Sequence, residues 1–150
     1  MSDHFITLIP TIPYFVPSAA ALKEALRFFT SFIPKADQIE GRVTDEVTFV
    51  DQGQNFERVS CPSCYKELAT AWWQEAMDKS YKSRFTNLGV VTPCCTFSTS
   101  LNDLDYHVPA GFARCLLQAK NPRQREVEPD QIRQLEGILG VGLRQIWTHY

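Results

Sequence analysis

Four of the five cysteines fall in two tight clusters, Cys61-Pro62-Ser63-Cys64 and Cys94-Cys95, and no other feature restricts the fold as strongly. Thiols stay reduced in a cytosolic compartment, so cysteines grouped in this way point to a shared metal ion or to thiol chemistry before disulfides. A shared ion would clip together two segments that lie far apart in the chain. The compartment is itself an expectation from sequence. Residues 1–10 carry no basic segment, and their apolar run is interrupted by Thr7 and ended by Pro10, unlike a secretory leader. No stretch approaches the roughly 18 consecutive apolar residues of a membrane span. A cytoplasmic protein without a membrane partner is therefore expected.

Cys61-Pro62-Ser63-Cys64 follows an expected strand and opens a tight turn, which can aim backbone N–H groups at the sulfurs while Pro62 stiffens it. The second cluster also ends an expected strand. The layout is similar to the two knuckles of four-cysteine zinc-ribbon modules, carried here by Cys61, Cys64, Cys94 and Cys95. That resemblance implies a structural zinc ion (Zn2+). The chain departs from it in having adjacent cysteines where a ribbon repeats Cys-x-x-Cys. Neighbouring residues reach one ion only from a turn. The fourth ligand stays open between the two cysteines, His107 and water. A thioredoxin-like pair at Cys61 and Cys64 is the thiol-chemistry alternative. Cys115, on an alternating strand, reads as core.

A chain of 150 residues with 44% hydrophobic content can build one core and is too short for two full domains, so residues 1–150 are read as a single domain. Phe5 to Ile9 reads as a strand, and Pro10, Pro13 and Pro17 hold the next segment extended. Leu22, Ala25, Leu26, Phe29 and Ile33 then mark one face of a helix capped by Ser18 and stopped by Pro34. Lys35 to Asp45 reads as a polar connection, and Val47 to Val50 as a strand that turns over Asp51–Asn55 into Phe56–Ser60 as a second hairpin arm. Thr70 is a candidate cap for a helix carrying Trp73, Met77 and Tyr81. Leu88 to Thr92 is a short strand, and Ser100 to Asp103 is close to a capping box. Phe112 to Ala119 alternates as a strand with one buried face. Pro129 opens a helix with Ile132, Leu135, Ile138 and Leu139 that Gly140 stops, and Leu143 to Tyr150 is the last strand.

The outer parts thus read βαβ and βαβ. The expected class is α+β, a split βαβ-βαβ (ferredoxin-like) antiparallel sheet with a zinc-knuckle and helix segment, residues 61–108, inserted between the halves. That plan hosts unrelated functions and assigns none. The formal net charge of −2 argues against a nucleic-acid partner. Lys120, Arg123 and Arg125 form the most basic stretch, but Glu126, Glu128 and Asp130 follow at once, which reads as a mixed surface. His4 and His149 lie in terminal strands that can pair.

No phosphate-cradling loop, nucleophile elbow or His-Glu-x-x-His helix is present. The expected function is a non-catalytic binding or adaptor module for a protein or small ligand, with Trp72, Trp73, Asp103 and His107 around its groove. An unburied tryptophan would equally serve a homodimer. The competing readings are an enzyme, with His107 and Asp103 or Asp105 as base and acid or with Cys61 and Cys64 as redox thiols, and a nucleic-acid-binding zinc module.

Overall fold

The computed structural model describes residues 2–53 and 56–150. The chain runs β1 (His4–Pro10), α1 (Ala19–Phe32), β2 (Gln38–Val50), β3 (Val59–Ser60), α2 (Thr70–Tyr81), β4 (Gly89–Val91), β5 (Ser98–Ser100), β6 (Asp105–Tyr106), β7 (Gly111–Lys120), α3 (Pro129–Leu139) and β8 (Leu143–His149). Helices and mainly antiparallel strands together make the class α+β, as expected.

Local signals account for α1 and α3, the two helices with the clearest apolar stripes. Ser18 Oγ accepts the Ala21 N–H at the start of α1, and Pro34 lies just beyond its end. Pro129 opens α3, Glu128 and Gln131 exchange side-chain and backbone bonds there, and Gly140 closes the helix in the left-handed conformation at φ 79°. Both helices lay their apolar stripes on one face of a four-stranded sheet of order β2-β7-β1-β8, in which every pair is antiparallel. Phe29, Ile33, Leu135 and Leu139 meet Ile6, Leu8, Leu117 and Ala119 in that core.

Five expectations change. β2 begins at Gln38, inside the stretch read as a polar connection, because it is an edge strand that buries little of its surface. Its register against β7 breaks between Val43 and Thr48, and Arg114 spans this bulge by donating from Nε to the Thr44 carbonyl at 2.9 Å. The second hairpin arm does not return to β2: β3 pairs with β6, Val59 opposite Tyr106. Part of the turn assigned to Asp51–Asn55, residues 54 and 55, lies outside the described residues. Ser100 to Asp103 forms a turn rather than a helix start, with Ser100 Oγ donating to Asp103, and α2 takes Ala69 rather than Thr70 as its cap.

The fifth change concerns β7, whose two faces are both largely buried. Beyond the bulge, the β2–β7 ribbon lies against the sheet face that the helices leave free. Val50, Ala113 and Leu116 pack there with Ile9 and Ile146. Thr148 Oγ1 donates to the Asp51 carbonyl and the His149 N–H to the Gln52 carbonyl, so the chain leaving β2 is fastened along β8. Gly53 completes this crossing at φ 60°, where an added Cβ would stand 2.4 Å from the His149 carbonyl oxygen.

Between β2 and β7 lie β3, α2, the β4–β5 hairpin and β6. This region has apolar content of its own: Val59, Leu68, Trp73, Met77, Leu101, Leu104 and Tyr106 share one core with Val47 and Phe112 of the ribbon. Arg144 of β8 ties it to the sheet, donating from Nη1 to the carbonyls of Ala110 (2.7 Å) and Asn102 (3.0 Å). Asn102 in turn accepts the Phe112 N–H and donates to the Thr11 carbonyl. Among the described residues no helix is long and apolar enough to cross a membrane.

Candidate metal centre

The two cysteine clusters meet in space. The sulfurs of Cys61, Cys64, Cys94 and Cys95 all lie within 4.8 Å of one another, and all five cysteines of the chain are free thiols. Three of the six separations are 3.3 Å (Cys64–Cys94), 3.7 Å (Cys61–Cys95) and 3.9 Å (Cys94–Cys95). A tetrahedral ion held by thiolates at about 2.3 Å needs sulfur–sulfur edges of about 3.8 Å. The chemistry of the set, four soft donors and no carboxylate, fits such an ion.

Each cluster is presented by a turn, and the two turns are built alike. In the first, the Cys61 N–H donates to the Lys66 carbonyl (2.9 Å), the Tyr65 N–H donates to the Cys61 carbonyl (2.9 Å), and Tyr65 has φ 63°. In the second, the Thr92 N–H donates to the Phe97 carbonyl (3.0 Å), the Thr96 N–H donates to the Thr92 carbonyl (3.0 Å), and Thr96 has φ 56°. The equivalence runs residue by residue: Cys61-Pro62-Ser63-Cys64-Tyr65 corresponds to Thr92-Pro93-Cys94-Cys95-Thr96. Thr92 therefore stands where the first turn has Cys61, and Cys94 joins the cluster from the third position, where the first turn has Ser63.

The Thr92 hydroxyl is buried within this group, 3.5 Å from Cys61 Sγ and 3.7 Å from Cys95 Sγ, and it accepts the Phe97 N–H at 3.1 Å. No reading of cysteine spacing alone finds it. The signal that could have done so is the x-Pro-x-Cys pattern shared by residues 61–64 and 92–95.

The surroundings push the Cys61 and Cys64 thiols in opposite directions. Burial works against ionisation of Cys61, but the N–H groups of Cys64 and Ser63 and the Thr92 hydroxyl more than offset it and bring this thiol down to about 6. At Cys64 the Lys66 N–H favours the thiolate, yet the sulfurs of Cys94, Cys95 and Cys61 crowd it and push it up to about 11. Four thiolates cannot share so small a volume without a cation between them.

The other residues singled out from sequence are placed as follows. His107 is outside the cluster, its Nε2 lying 2.9 Å from the exposed Glu57 carboxylate, so both Cys94 and Cys95, and not the imidazole, stand in position to complete the group. Asp103 accepts from Ser100 and does not pair with His107, and Asp105 lies with His107 along a shallow groove beside Tyr65. Trp73 is core: its indole N–H donates to Tyr106 Oη at 3.1 Å, and its ring stacks on Phe56 at 5.4 Å. Burial, partly offset by that indole N–H, pushes the Tyr106 hydroxyl up to about 12. Trp72 is half-buried and, with Ala76, Lys79, Val90 and Val91, lines a groove of about 930 Å³ between α2 and the β4–β5 hairpin. Cys115 is buried on β7 opposite Val43, and burial pushes its thiol up to about 11.

Comparison of the chain with protein-family models, with curated proteins and with solved structures finds no match.

Proposed function

We propose that the chain is a small cytoplasmic, zinc-stabilised binding or adaptor module without catalytic chemistry of its own. The observation that carries this reading is the convergence of four sulfurs from two turns of the same backbone construction. Four thiolates on a tetrahedral lattice favour zinc among the common divalent ions, and they leave no open position at which a substrate or activated water would bind. The ion's role is positional. It joins the turn that follows β3 to the turn between β4 and β5, and so fixes the hairpin against α2.

The strand order and the placement of α1 and α3 on one face support a ferredoxin-like platform in which β1, β2, β7 and β8 are the four strands. Residues 61–108 then act as an insert within a single domain of residues 1–150. The groove between α2 and the hairpin, with Trp72 on its wall, is the surface offered to a protein or small ligand. The zinc clip sets the width of this groove.

Elemental analysis of protein purified without added metal tests the reading directly. One zinc per chain is expected, with Cys61→Ser losing both the metal and cooperative unfolding of the 61–108 region. A protein that is metal-free and fully folded, or one in which Cys61→Ser unfolds at the same temperature as the parent, overturns it.

A further inference from the structure

The two terminal strands pair so that His4 and His149 are direct neighbours at one end of the sheet. Both line a groove of about 450 Å³ together with Arg123 and Arg125 of the loop after β7 and with Trp147. Among the described residues no carboxylate lines it. Among the described residues, neither guanidinium has an ion-pair or hydrogen-bond partner.

Nearby acids are turned elsewhere. Asp3 holds Asn121 and Lys120, Asp51 accepts from the Gly53 N–H and Tyr150 Oη, and Glu128 caps α3. The mixed surface expected from the sequence of this loop is therefore sorted in space, with Arg123 and Arg125 on the groove side and Glu126 outside its lining.

The loop that carries the arginines is fastened at almost every residue. Asn121, in the left-handed conformation at φ 50°, exchanges bonds with the His4 backbone and donates to Asp3 and Asp37. The His4 ring Nε2 lies 3.3 Å from the Pro122 carbonyl, Gln124 Nε2 donates to the Phe32 carbonyl, and the Trp147 indole N–H donates to the Arg125 carbonyl. A rigid backbone thus presents two uncommitted guanidinium forks beside two imidazoles. Ordering such a loop normally costs free energy on binding, and here that cost is already met in folding.

We infer that this groove is an anion site for a small phosphomonoester, with Arg123 and Arg125 taking the phosphate and His4 and His149 flanking it. A guanidinium fork matches two phosphate oxygens at once, and two forks answer a dianion where a carboxylate would satisfy only one. The groove is on the sheet end beside the α3 loop and shares no residue with the cysteine cluster or the α2 groove.

Backbone and indole NMR spectra of the whole metal-loaded chain, titrated with inorganic phosphate and with glycerol phosphate at constant ionic strength, test the inference. Saturable shifts are expected at His4, Arg123, Arg125, Trp147 and His149, with the cysteine turns unmoved. Arg123→Gln with Arg125→Gln is expected to weaken binding by roughly a hundredfold, and Arg125→Lys, which keeps charge but loses the fork, by roughly tenfold. Absence of saturable shifts, an equal response to acetate, an undiminished response in the double variant, or binding only to an oligonucleotide would each overturn it.

Discussion

Replacing Cys94 by Ser removes one of four thiolates, and replacing Thr92 by Cys in the same chain returns one from a different residue. The exchange tests whether the two turns are equivalent in use as they are in hydrogen bonding. Zinc bound by peptide-sized thiolate and imidazole sites is worth about 10 to 16 kcal/mol at neutral pH, so an equal share per ligand is about 2.5 to 4 kcal/mol. Cys94→Ser should then lower zinc affinity by about 10²-fold to 10³-fold.

Thr92 Oγ1 already stands 3.5 Å from Cys61 Sγ and 3.7 Å from Cys95 Sγ, close to the tetrahedral edge of about 3.8 Å. A sulfur at this position enters without movement of either turn. Its cost is the Phe97 N–H, which now meets a weaker acceptor, at about 1 kcal/mol. The double variant should therefore bind zinc within about tenfold of the parent. Competition against a chromophoric chelator gives the affinities. Cobalt substitution reports the number of thiolates through the intensity of sulfur-to-metal charge transfer. The equivalence is refuted if Cys94→Ser binds as tightly as the parent, or if adding Thr92→Cys restores nothing.

Arg144→Met leaves the carbonyls of Ala110 and Asn102 without their donor in a buried setting and should cost about 2 to 4 kcal/mol in urea unfolding; a loss under about 0.5 kcal/mol shows that water replaces the guanidinium freely. Gly53→Ala adds a Cβ at a positive φ and 2.4 Å from a backbone oxygen, so about 2 to 4 kcal/mol is expected with the His149 amide exchanging faster in hydrogen exchange, and unchanged protection there contradicts the crossing described for residues 51–53. Alkaline stability follows from Cys115 and Tyr106, whose folded values of about 11 and about 12 lie above ordinary values of 9.0 and 10.0. Their stabilising contribution is complete below pH 9.0 and is lost as pH rises first through 9.0 to about 11 and then through 10.0 to about 12, because only the unfolded chain ionises freely there. Cys115→Ala with Tyr106→Phe should flatten that decline in denaturation of the zinc-loaded protein, and an unaltered slope refutes the assignment.

Local signals made the platform's helices and first strand legible, because α1 and α3 each lay one apolar stripe on the sheet between their own start and stop residues, and Pro10 ends β1. β2 was not legible over its first half. An edge strand exposes much of its surface, so Gln38 to Asp45 reads as loop. β7 was read as one-faced because alternation reports side-chain direction and cannot show that the distal ribbon covers the second face. At the metal centre the four cysteines were legible from clustering alone. The role of Thr92 was hidden because a hydroxyl in a ligand's position carries no metal signature, and only the matched backbone bonds reveal it. His4 and His149 sit at opposite ends of the chain, and their adjacency exists only once β1 pairs with β8.

The last residue of β2, Val50, and the first of β7, Gly111, are direct register partners. The chain therefore departs from the sheet and comes back to it at a single rung of one ladder. The four strands pair with one another through no residue between these two, so the segment could be lengthened, shortened or exchanged without rewiring the ladder, provided that Asp51–Gly53, which hold β8, and Asn102 and Ala110, which hold Arg144, keep their places. Such a rung is a natural seam for recombination, at which the cysteine-bearing surface can diversify while the platform beneath keeps its shape.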